Sequence, residues 1–453
     1  MTMPDGPSGA RPSTRRRLAA ALALAALVAA AALVVLALLT DPLAMVAGVL
    51  LVVLAVLAGW TALVRRGARR AVAAVVAVAA LLSTVGVLLL AGSVLRLVAV
   101  VVLVPLATAA ARVAIGRDLA PEPSAARAVG PARSGVLLMN PRSGGGKVGR
   151  YDLMGAARRI GVRPVLLRPG DDLRALAEQA VAGGADVLGM AGGDGSQALV
   201  ADVAHRHGVA FVCVPAGTRN HFALDLGLDR ADVPAALDAF GAAVERRIDL
   251  ALVGDRVFVN NASLGAYAAV VRSEAYREAK LATAAAMLPD LLGPDARRPD
   301  LRFTGPGGEL RHTSDVLLVS NGAYRLSRLN GFGTRERIDG GRLGVVAVTV
   351  DRARDLTTLL AAEAGGRLDG FRGYRAWTVP EFEVRSADPL LDVAVDGETL
   401  QLPPPLRFRS LPGALRVRTP VDAPGAAPAA AAPAGVRDGV TALFRVLRGR
   451  PAR

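Results

Sequence analysis

A long apolar run near the N-terminus constrains the fold of this chain most. From Leu18 to about Val113 the sequence is almost continuously apolar. Breaks divide the run into pieces of about 20 residues, the length that an α-helix needs to cross a bilayer. The breaks predict four membrane-spanning helices, near residues 18–39, 43–63, 71–91 and 97–115. None of them carries a charged residue in its middle, which is typical of an anchor and not of an ion pathway.

Arginines lie on alternate sides of these segments. They precede the first segment, follow the second and end the fourth, whereas the other two loops carry only Asp41-Pro42 and Arg96. The positive-inside rule therefore places both termini in the cytoplasm. A cleaved signal peptide is the alternative for the first segment, but its apolar region exceeds the roughly 7–15 residues of such peptides and further spans follow directly. We expect a multi-pass protein of the cell membrane with its remaining domains cytoplasmic.

Composition excludes several kinds of site and partner. Cys213 is the single cysteine, which excludes an intrachain disulfide and a CxxC metal site, and the four histidines lack zinc-binding spacing. The formal net charge is +15, but the excess is concentrated at the two termini and in the loops between the apolar runs. Since no basic stripe alternates with aromatic residues, we expect no nucleic acid partner and interpret the charge as facing an anionic membrane.

Residues 134–246 alternate strand-like and helical segments. Four apolar runs, SGVLLMN, RPVLLR, ADVLGMA and VAFVCVPAG, are separated by helical segments. This order predicts a parallel α/β sheet, whose ligands bind at the carboxyl ends of the strands. The glycine-bearing loops 140–147, 192–196 and 215–221 all follow strands. We therefore expect these three loops to form one site.

The loop Gly-Gly-Asp-Gly-Ser at 192–196 has the composition of a phosphate cradle. Its glycines, Gly192, Gly193 and Gly195, permit positive φ and close backbone approach, so that several N–H groups converge on one point. Asp194 would then hold a metal or take a proton. A hairpin turn is the alternative, but the following QALVADVA has helical periodicity. The chain lacks a Walker A loop, because Val148 follows Lys147 where serine or threonine is required, so several loops together would bind the phosphates.

Residues 247–420 contain many short strands, among them AWTVPEFEV, LRFRS and ALRVRT. They predict an antiparallel sandwich, with a hairpin at Gly254-Asp255 and a helical stretch at 274–292. The strand LLDVAV is followed by Asp396-Gly397-Glu398, for which a type I′ turn with a solvated Glu398 is the alternative to a functional loop. The tail is interpreted as either a short basic amphipathic helix on the membrane surface or a disordered segment.

Six segments in order resemble the diacylglycerol kinase catalytic family: NPRSGGGK, GMAGGDGSQ, VPAGTRNHFALDLGL, FVNNASLG, IDGGRLGVV and VAVDGE. The resemblance covers roughly residues 134–418. It implies a fold of class α/β, in which transmembrane helices precede a two-lobed lipid kinase. ATP would lie between a parallel α/β lobe and an antiparallel β-sandwich lobe, and the last strand, ALRVRT, would return to the first lobe.

The resemblance also implies roles for particular residues. Asp194 and Glu398 would be catalytic, with Mg²⁺, and Asp339 would hold a structural metal. The residues implied for the nucleotide and its phosphates are Asn140, Ser143, Gly144, Gly192, Gly193, Asp194, Gly195, Ser196, Gly217, Thr218, Asn220 and Asp396. The chain departs from the family pattern at four positions: Ser196 stands for threonine, His221 for an acid, Leu224 for a basic residue, and Gly340 for the second acid beside Asp339.

Phosphoryl transfer to a hydroxyl needs an oxygen ligand for Mg²⁺ and a base near the attacking oxygen. Asp194 and Glu398 can supply these groups from opposite lobes. The sequence leaves open which does which; we prefer Glu398 as the base and Asp194 as the metal-linked group.

The interpretation that follows is a membrane-anchored, ATP-dependent kinase of diacylglycerol or a similar lipid, with lipid and ATP as partners and a homodimer left open. Two alternatives remain: a kinase of a soluble acceptor, similar to NAD kinases, and a catalytically silent nucleotide sensor. The expected organisation is a basic cytoplasmic N-terminus (1–17), four transmembrane helices (18–116), a linker (117–133), the nucleotide-binding lobe (134–246), the β-sandwich lobe (247–420) and an Ala/Pro linker with a basic tail (421–453).

Overall fold

The computed structural model describes residues 12–64, 68–119, 126–265, 300–312, 316–324, 335, 337–349, 372–423 and 436–452. The predicted helical stretch at 274–292, the arginines Arg11, Arg65 and Arg66, and most of the Ala/Pro linker lie outside these residues.

Four apolar helices form the N-terminal part: α1 Thr14–Thr40, α2 Pro42–Val64, α3 Ala68–Leu90 and α4 Val94–Leu119. Each is long and apolar enough to cross a membrane. α1 packs along α4 and α2 along α3. Arg96 Nη1 in the first turn of α4 donates a hydrogen bond at 2.7 Å to Thr40 Oγ1 at the end of α1, so the α1–α2 and α3–α4 connections lie at the same end of the bundle, in agreement with the predicted alternation. The helices extend beyond the predicted apolar limits because flanking residues such as Arg15 continue the helical turns.

The α/β lobe contains the four predicted strands and the helices between them. Its elements are β1 Arg127–Val129, β2 Gly135–Met139, α5 Lys147–Arg150, α6 Leu153–Arg159, β3 Arg163–Leu166, α7 Leu173–Ala182, β4 Val187–Ala191, α8 Asp194–Arg206, β5 Ala210–Val214 and α9 His221–Asp225. The parallel order β3-β2-β4-β5 confirms the predicted sheet. Every residue of β2, β4 and β5 is buried, since helices cover both faces.

Two antiparallel sheets form the β-sandwich lobe. The elements are β6 Ala243–Val253, β7 Arg256–Phe258, β8 Asn261–Gly265, β9 Arg302–Thr304, β10 Leu310–His312, β11 Val316–Asn321, β12 Leu343–Val348, β13 Tyr374–Val379, β14 Glu381–Arg385, β15 Leu391–Val395, β16 Glu398–Leu402, β17 Leu406–Pro420 and, after them, helix α10 Val436–Leu447. One sheet has the order β13-β12-β11-β8-β15-β16, and the other contains β10-β9-β14-β17. The aromatic rings of Phe258, Phe382 and Phe408 lie buried in the core between the sheets, and burial of each stabilises the fold by about 1.5–3 kcal/mol.

Strand β17 joins the two lobes. It pairs in antiparallel fashion with β14 and β6, and near its end it pairs in parallel with β5. The segment ALRVRT therefore returns to the first lobe, and one sheet runs through both lobes. The sequence predicted LRFRS and ALRVRT as separate strands, but they form one strand with a shift in register between Leu411 and Leu415. Gly413, with φ of 58°, lies in this irregularity.

The segment AWTVPEFEV was expected to be a single strand, and the structure divides it between the two sheets. β13 ends at Val379 and pairs with β12, whereas β14 begins at Glu381 and pairs with β17. Pro380 lies between them and has no N–H to donate, so a continuous ladder breaks at this residue.

Candidate active site

The three glycine-bearing loops lie against one another at the carboxyl edge of the parallel sheet. Gly144 has φ of 56°, and a Cβ atom there would lie 2.4 Å from Ala216 O. A Cβ atom on Gly217 would lie 2.5 Å from the Cα atom of Gly193. The first loop therefore packs on the third and the third on the second, with approaches that a larger side chain would block.

The Gly-Gly-Asp-Gly loop forms the junction between β4 and α8. The expected positive φ is not used here: Gly193 is the N-cap of α8 with φ of −83°, and Gly195 lies in the first turn of the helix. Close approach is what requires small residues at this junction. Apart from its two neighbours in the chain, no described residue has an atom within 4 Å of where a Cβ of Gly193 would stand, so the backbone at the positive end of the 13-residue helix is accessible to an anion.

Asp194 lies across the N-terminus of α9. Its Oδ2 accepts a hydrogen bond from His221 N and its Oδ1 one from Phe222 N, both at 3.1 Å. The carboxylate thus satisfies two amides that a helix start leaves without intrahelical partners. Because the contact uses the backbone of His221, the replacement of the usual acid at that position leaves it intact.

Asn220 shapes the third loop from inside. It has φ of 53° and is 3 % exposed. Its Oδ1 accepts from Gly217 N at 2.9 Å, while its Nδ2 donates to Pro215 O at 3.0 Å and to Gly217 O at 2.8 Å. The side chain is therefore engaged within the loop, and Asn220 fixes the wall of the site through the loop's shape.

The other predicted nucleotide-site residues flank this edge. Asn140 directly follows β2, and its N–H donates to Ala191 O at 2.9 Å while its Oδ1 accepts from Arg142 N at 3.1 Å. Ser143 and Ser196 are half-buried, and Thr218 is exposed.

Gln197 is a residue of the site that the sequence analysis missed. It is 1 % exposed, and its Nε2 donates to Met190 O at 2.8 Å and to Val214 O at 3.0 Å. These bonds tie the ends of β4 and β5 together beneath the glycine loops. Its place directly after Gly-Gly-Asp-Gly-Ser was the available signal.

The second acidic loop is the tight turn between β15 and β16. Val395 pairs with Glu398, and the two turn residues, Asp396 and Gly397, have φ of 46° and 87°. Both positive φ values agree with the type I′ turn that the sequence suggested. The type I′ turn is therefore itself the second acidic loop of the candidate site.

Asp396 is held by three backbone amides. Its carboxylate accepts from Val259 N at 2.9 Å, Asn260 N at 2.8 Å and Asn261 N at 3.2 Å. Burial, together with the negative charge of Asp194, raises the pKa of Asp396 to about 7, because these two effects outweigh the three hydrogen bonds. Asp396 therefore changes charge near neutral pH.

Glu398 reaches the N-terminus of α8. A Cβ atom on Gly195 would lie 2.7 Å from its Oε1. Its other carboxylate oxygen is paired with Arg256, another residue that the sequence analysis missed, and both side chains are about half exposed. The two acidic loops therefore meet at the first turn of α8.

A cavity of about 200 Å³ lies beside this meeting point. It is bounded by one face of α8, by β7 and by the β15–β16 turn, and its lining includes Arg174, Gly195, Arg256 and Asp396. Asp202 and apolar side chains also line it, so a polar group in this cavity would lie among two carboxylates and two guanidinium groups.

Arg335 connects the lobes behind the two acidic loops. It is fully buried, and its backbone N and Nε donate to the two carboxylate oxygens of Asp225, at 2.9 Å and 2.8 Å. Its Nη1 donates to Val259 O and Asn321 O, each at 2.6 Å, and its Nη2 donates to Asn260 Oδ1 at 3.1 Å. Neither Arg335 nor Asp225 was identified from the sequence, since a buried pair leaves no local pattern.

The assignment of a structural metal to Asp339 stays a prediction, and the surroundings of its carboxylate can be described. Arg337 Nε donates to Asp339 Oδ1 at 2.9 Å, and Gly340 offers no side-chain ligand. Among the residues that the structure describes, no group of three or more His, Cys, Asp or Glu side chains is arranged to hold a metal ion. A Mg²⁺ ion bound with a nucleotide is a different case, because one or two carboxylates and phosphate oxygens suffice for it.

Comparisons with known proteins match the catalytic part of the chain to a family of kinases. The family model "Diacylglycerol kinase catalytic domain" matches residues 134–253. The chain is 33 % identical over 280 residues to "Probable lipid kinase YegS-like" of Pseudomonas aeruginosa (strain UCBPP-PA14), covering 59 % of this chain and 87 % of that protein. The protein of the same description from Pseudomonas putida is 30 % identical over 268 residues, with coverages of 56 % and 84 %.

Among solved structures, a diacylglycerol kinase from Bacillus anthracis str. Sterne is similar with a TM-score of 0.43 at 14 % identity, covering 64 % of this chain and 98 % of that one. The sequence relatives decide the assignment, because their similarity extends over most of their length. The chain therefore belongs to the lipid kinase family of YegS-like proteins that carry a diacylglycerol kinase catalytic domain.

Proposed function

We propose that the chain is a membrane-anchored, ATP-dependent lipid kinase that transfers a γ-phosphoryl group to a hydroxyl of diacylglycerol or a similar lipid. One observation carries this proposal: the second acidic loop, with Asp396 and Glu398, meets the Gly-Gly-Asp-Gly loop at the N-terminus of α8. This arrangement brings an anion-binding backbone and two carboxylates to one point.

The phosphates of ATP would lie on the accessible backbone at Gly193, where the α8 dipole favours negative charge. Glu398 and the free lone pairs of Asp194 are the carboxylate oxygens that would hold Mg²⁺. When bound, the ion neutralises charge on the phosphate oxygens, which is most of what phosphoryl transfer requires.

We assign the role of general base to Asp396, in place of the earlier preference for Glu398. A base is most effective when its pKa lies near the working pH, and the pKa of Asp396 is raised to about 7. Glu398 is paired with Arg256 and half exposed, which suits a residue that orients or holds a ligand. As the acceptor oxygen bonds to the γ-phosphorus and the bond to the ADP oxygen breaks, Asp396 takes the hydroxyl proton.

The cavity beside Asp396 would receive the polar end of the acceptor. A lipid acceptor remains in the bilayer, so an enzyme held there by four apolar helices meets it at a high effective concentration. This relation between anchor and substrate favours a lipid over a soluble acceptor.

The test is label transfer from radiolabelled ATP by the full chain in membranes. Diacylglycerol, ceramide, a long-chain base, a polyprenol and the soluble control NAD are offered in parallel. We expect label in one lipid. Label only in NAD would move the function to a soluble acceptor, and ATP binding without transfer to any acceptor would support the nucleotide sensor.

A further inference from the structure

Helix α10 packs against the membrane helices although it lies at the other end of the chain. Its buried residues Ala442, Leu443 and Val446 share an apolar cluster with residues of α1 and α4, namely Ala20, Ala23, Ala110, Ala114 and Ile115. Arg17 Nε donates to Leu447 O at 3.2 Å, where the C-terminal end of α10 favours a cation. α10 is therefore docked at the end of the bundle where α1 begins and α4 ends.

The outward face of α10 combines basic and apolar side chains. Arg437, Thr441 and Arg448 are exposed, and Phe444 is 46 % exposed beside them. Residues 14–17 and 436–452 together contain seven arginines and one acidic residue, Asp438. Arginines around an exposed aromatic ring are typical of a helix that lies in the headgroup region of a bilayer.

The segment that leads into β1 and the segment that follows β17 join the catalytic lobes at the same place. Ala243, the first residue of β6, pairs with Val129 of β1 on one side and with Pro420 of β17 on the other. Glu245 accepts hydrogen bonds from Arg416 of β17 at 3.0 Å and from Arg127 of β1 at 3.4 Å. The chain therefore enters from α4 and departs toward α10 at the same end of β6.

The connection to α4 is short. The eight residue steps from Leu119 to Arg127 span at most about 28 Å. The end of β6 is thus held near the end of the bundle at which α10 is docked.

We propose that the outward face of α10, together with the first turn of α1, binds the phosphate headgroups of anionic phospholipids in the leaflet at that end of the bundle. Charge complementarity supports this partner, because the surface carries an excess of arginines and lies where the membrane helices end. α10 is then a second contact of the chain with the bilayer, in addition to the four apolar helices. The proposal does not depend on the reaction catalysed.

The test uses a probe on α10 in the full chain reconstituted in nanodiscs. Cys213 is buried, and burial raises the pKa of its thiol, so a thiol-reactive fluorophore labels an exposed Thr441→Cys selectively. Quenching by acrylamide, a neutral quencher, is compared in discs of phosphatidylcholine and in discs that also contain phosphatidylglycerol. We expect quenching at least twofold weaker in the anionic discs, with the difference lost at high salt because the ions screen the attraction.

A charge-matched pair of variants completes the test. Arg437→Gln/Arg448→Gln/Arg450→Gln, made in the labelled chain, should abolish the difference between the two kinds of disc. Arg158→Gln/Arg163→Gln/Arg168→Gln removes the same charge from the exposed surface of the α/β lobe. This variant should retain the difference in quenching between the two kinds of disc.

Three results would overturn the proposal. One is equal quenching of the labelled chain in neutral and anionic discs. This measurement does not depend on whether the arginine variants fold. The second is protection in neutral discs by inorganic phosphate alone, which would indicate an ion site. The third is protection in neutral discs by polyglutamate but no response to anionic lipid, which would indicate an acidic protein partner.

Discussion

Arg335 and Asp225 form a fully buried ion pair that joins the β-sandwich lobe to the α/β lobe. Asp225 is the last residue of α9, and the first amides of that helix hold the carboxylate of Asp194. Arg335 also binds the carbonyl oxygen of Val259, which begins the turn whose amides hold Asp396. One guanidinium thus supports the two acidic loops from behind, one in each lobe.

We expect Arg335→Met to lower the free energy of unfolding by about 3–5 kcal/mol, because it leaves the charge of Asp225 buried without its partner. The measurement is chemical or thermal unfolding of the catalytic lobes in the full chain. Arg159→Gln is the control, because Asp152, the partner of Arg159, is about two-thirds exposed. Loss of this exposed ion pair should lower the free energy of unfolding by less than about 1 kcal/mol. Equal losses in the two variants would refute the structural role of the pair.

Gly217→Ala should separate two of the glycine loops. The new Cβ atom would lie 2.5 Å from the Cα atom of Gly193, and backbone cannot yield as the end of a side chain can. We expect at least a tenfold loss of nucleotide affinity by calorimetry. Gly149→Ala is the control, because nothing lies within 4 Å of the added atom, and its affinity should match the native chain. Unchanged affinity in Gly217→Ala would show that the loops do not form one site.

Two variants of Asp194 should separate its structural role at α9 from its role in phosphoryl transfer. Asp194→Ala removes both acceptors for the α9 amides and should cost about 0.5–2 kcal/mol of stability. Asp194→Asn keeps one acceptor and should cost less. Both variants should lose phosphoryl transfer while nucleotide binding persists, as measured by label transfer and calorimetry. Full activity in Asp194→Asn would confine Asp194 to the structural role.

The pH dependence of transfer identifies the base. Asp396 acts as a base only when it is charged, so activity should be present above its pKa of about 7 and be lost as the pH falls through that value. The residual activity of Glu398→Gln should keep the same acid limb. An acid limb of the native chain that disappears in Glu398→Gln would assign the base to Glu398.

Much of the fold followed from the sequence because its signals are local. Spans of the right length, apolar runs between helices and the turn chemistry at Asp396-Gly397 each predicted elements that the structure contains. The division of AWTVPEFEV at Pro380 and the merging of two predicted strands into β17 were missed, since strand partners are chosen by distant residues.

The candidate site was predictable only in part for the same reason. The convergence of the glycine loops follows from the parallel sheet, and the structure brings them together as expected. The engagement of Asp194 with α9, the raised pKa of Asp396 and the Arg335–Asp225 pair depend on packing between segments far apart in sequence. No spacing or composition rule reveals such contacts.

The most direct test compares the native chain with Asp396→Asn in nanodiscs that contain radiolabelled ATP and the lipid acceptor found in the label-transfer experiment. We expect label in that lipid with the native chain and a loss of at least a hundredfold in Asp396→Asn, with nucleotide affinity unchanged, since a general base contributes about 10²–10⁴ to the rate. Transfer by Asp396→Asn at the native rate would contradict this expectation.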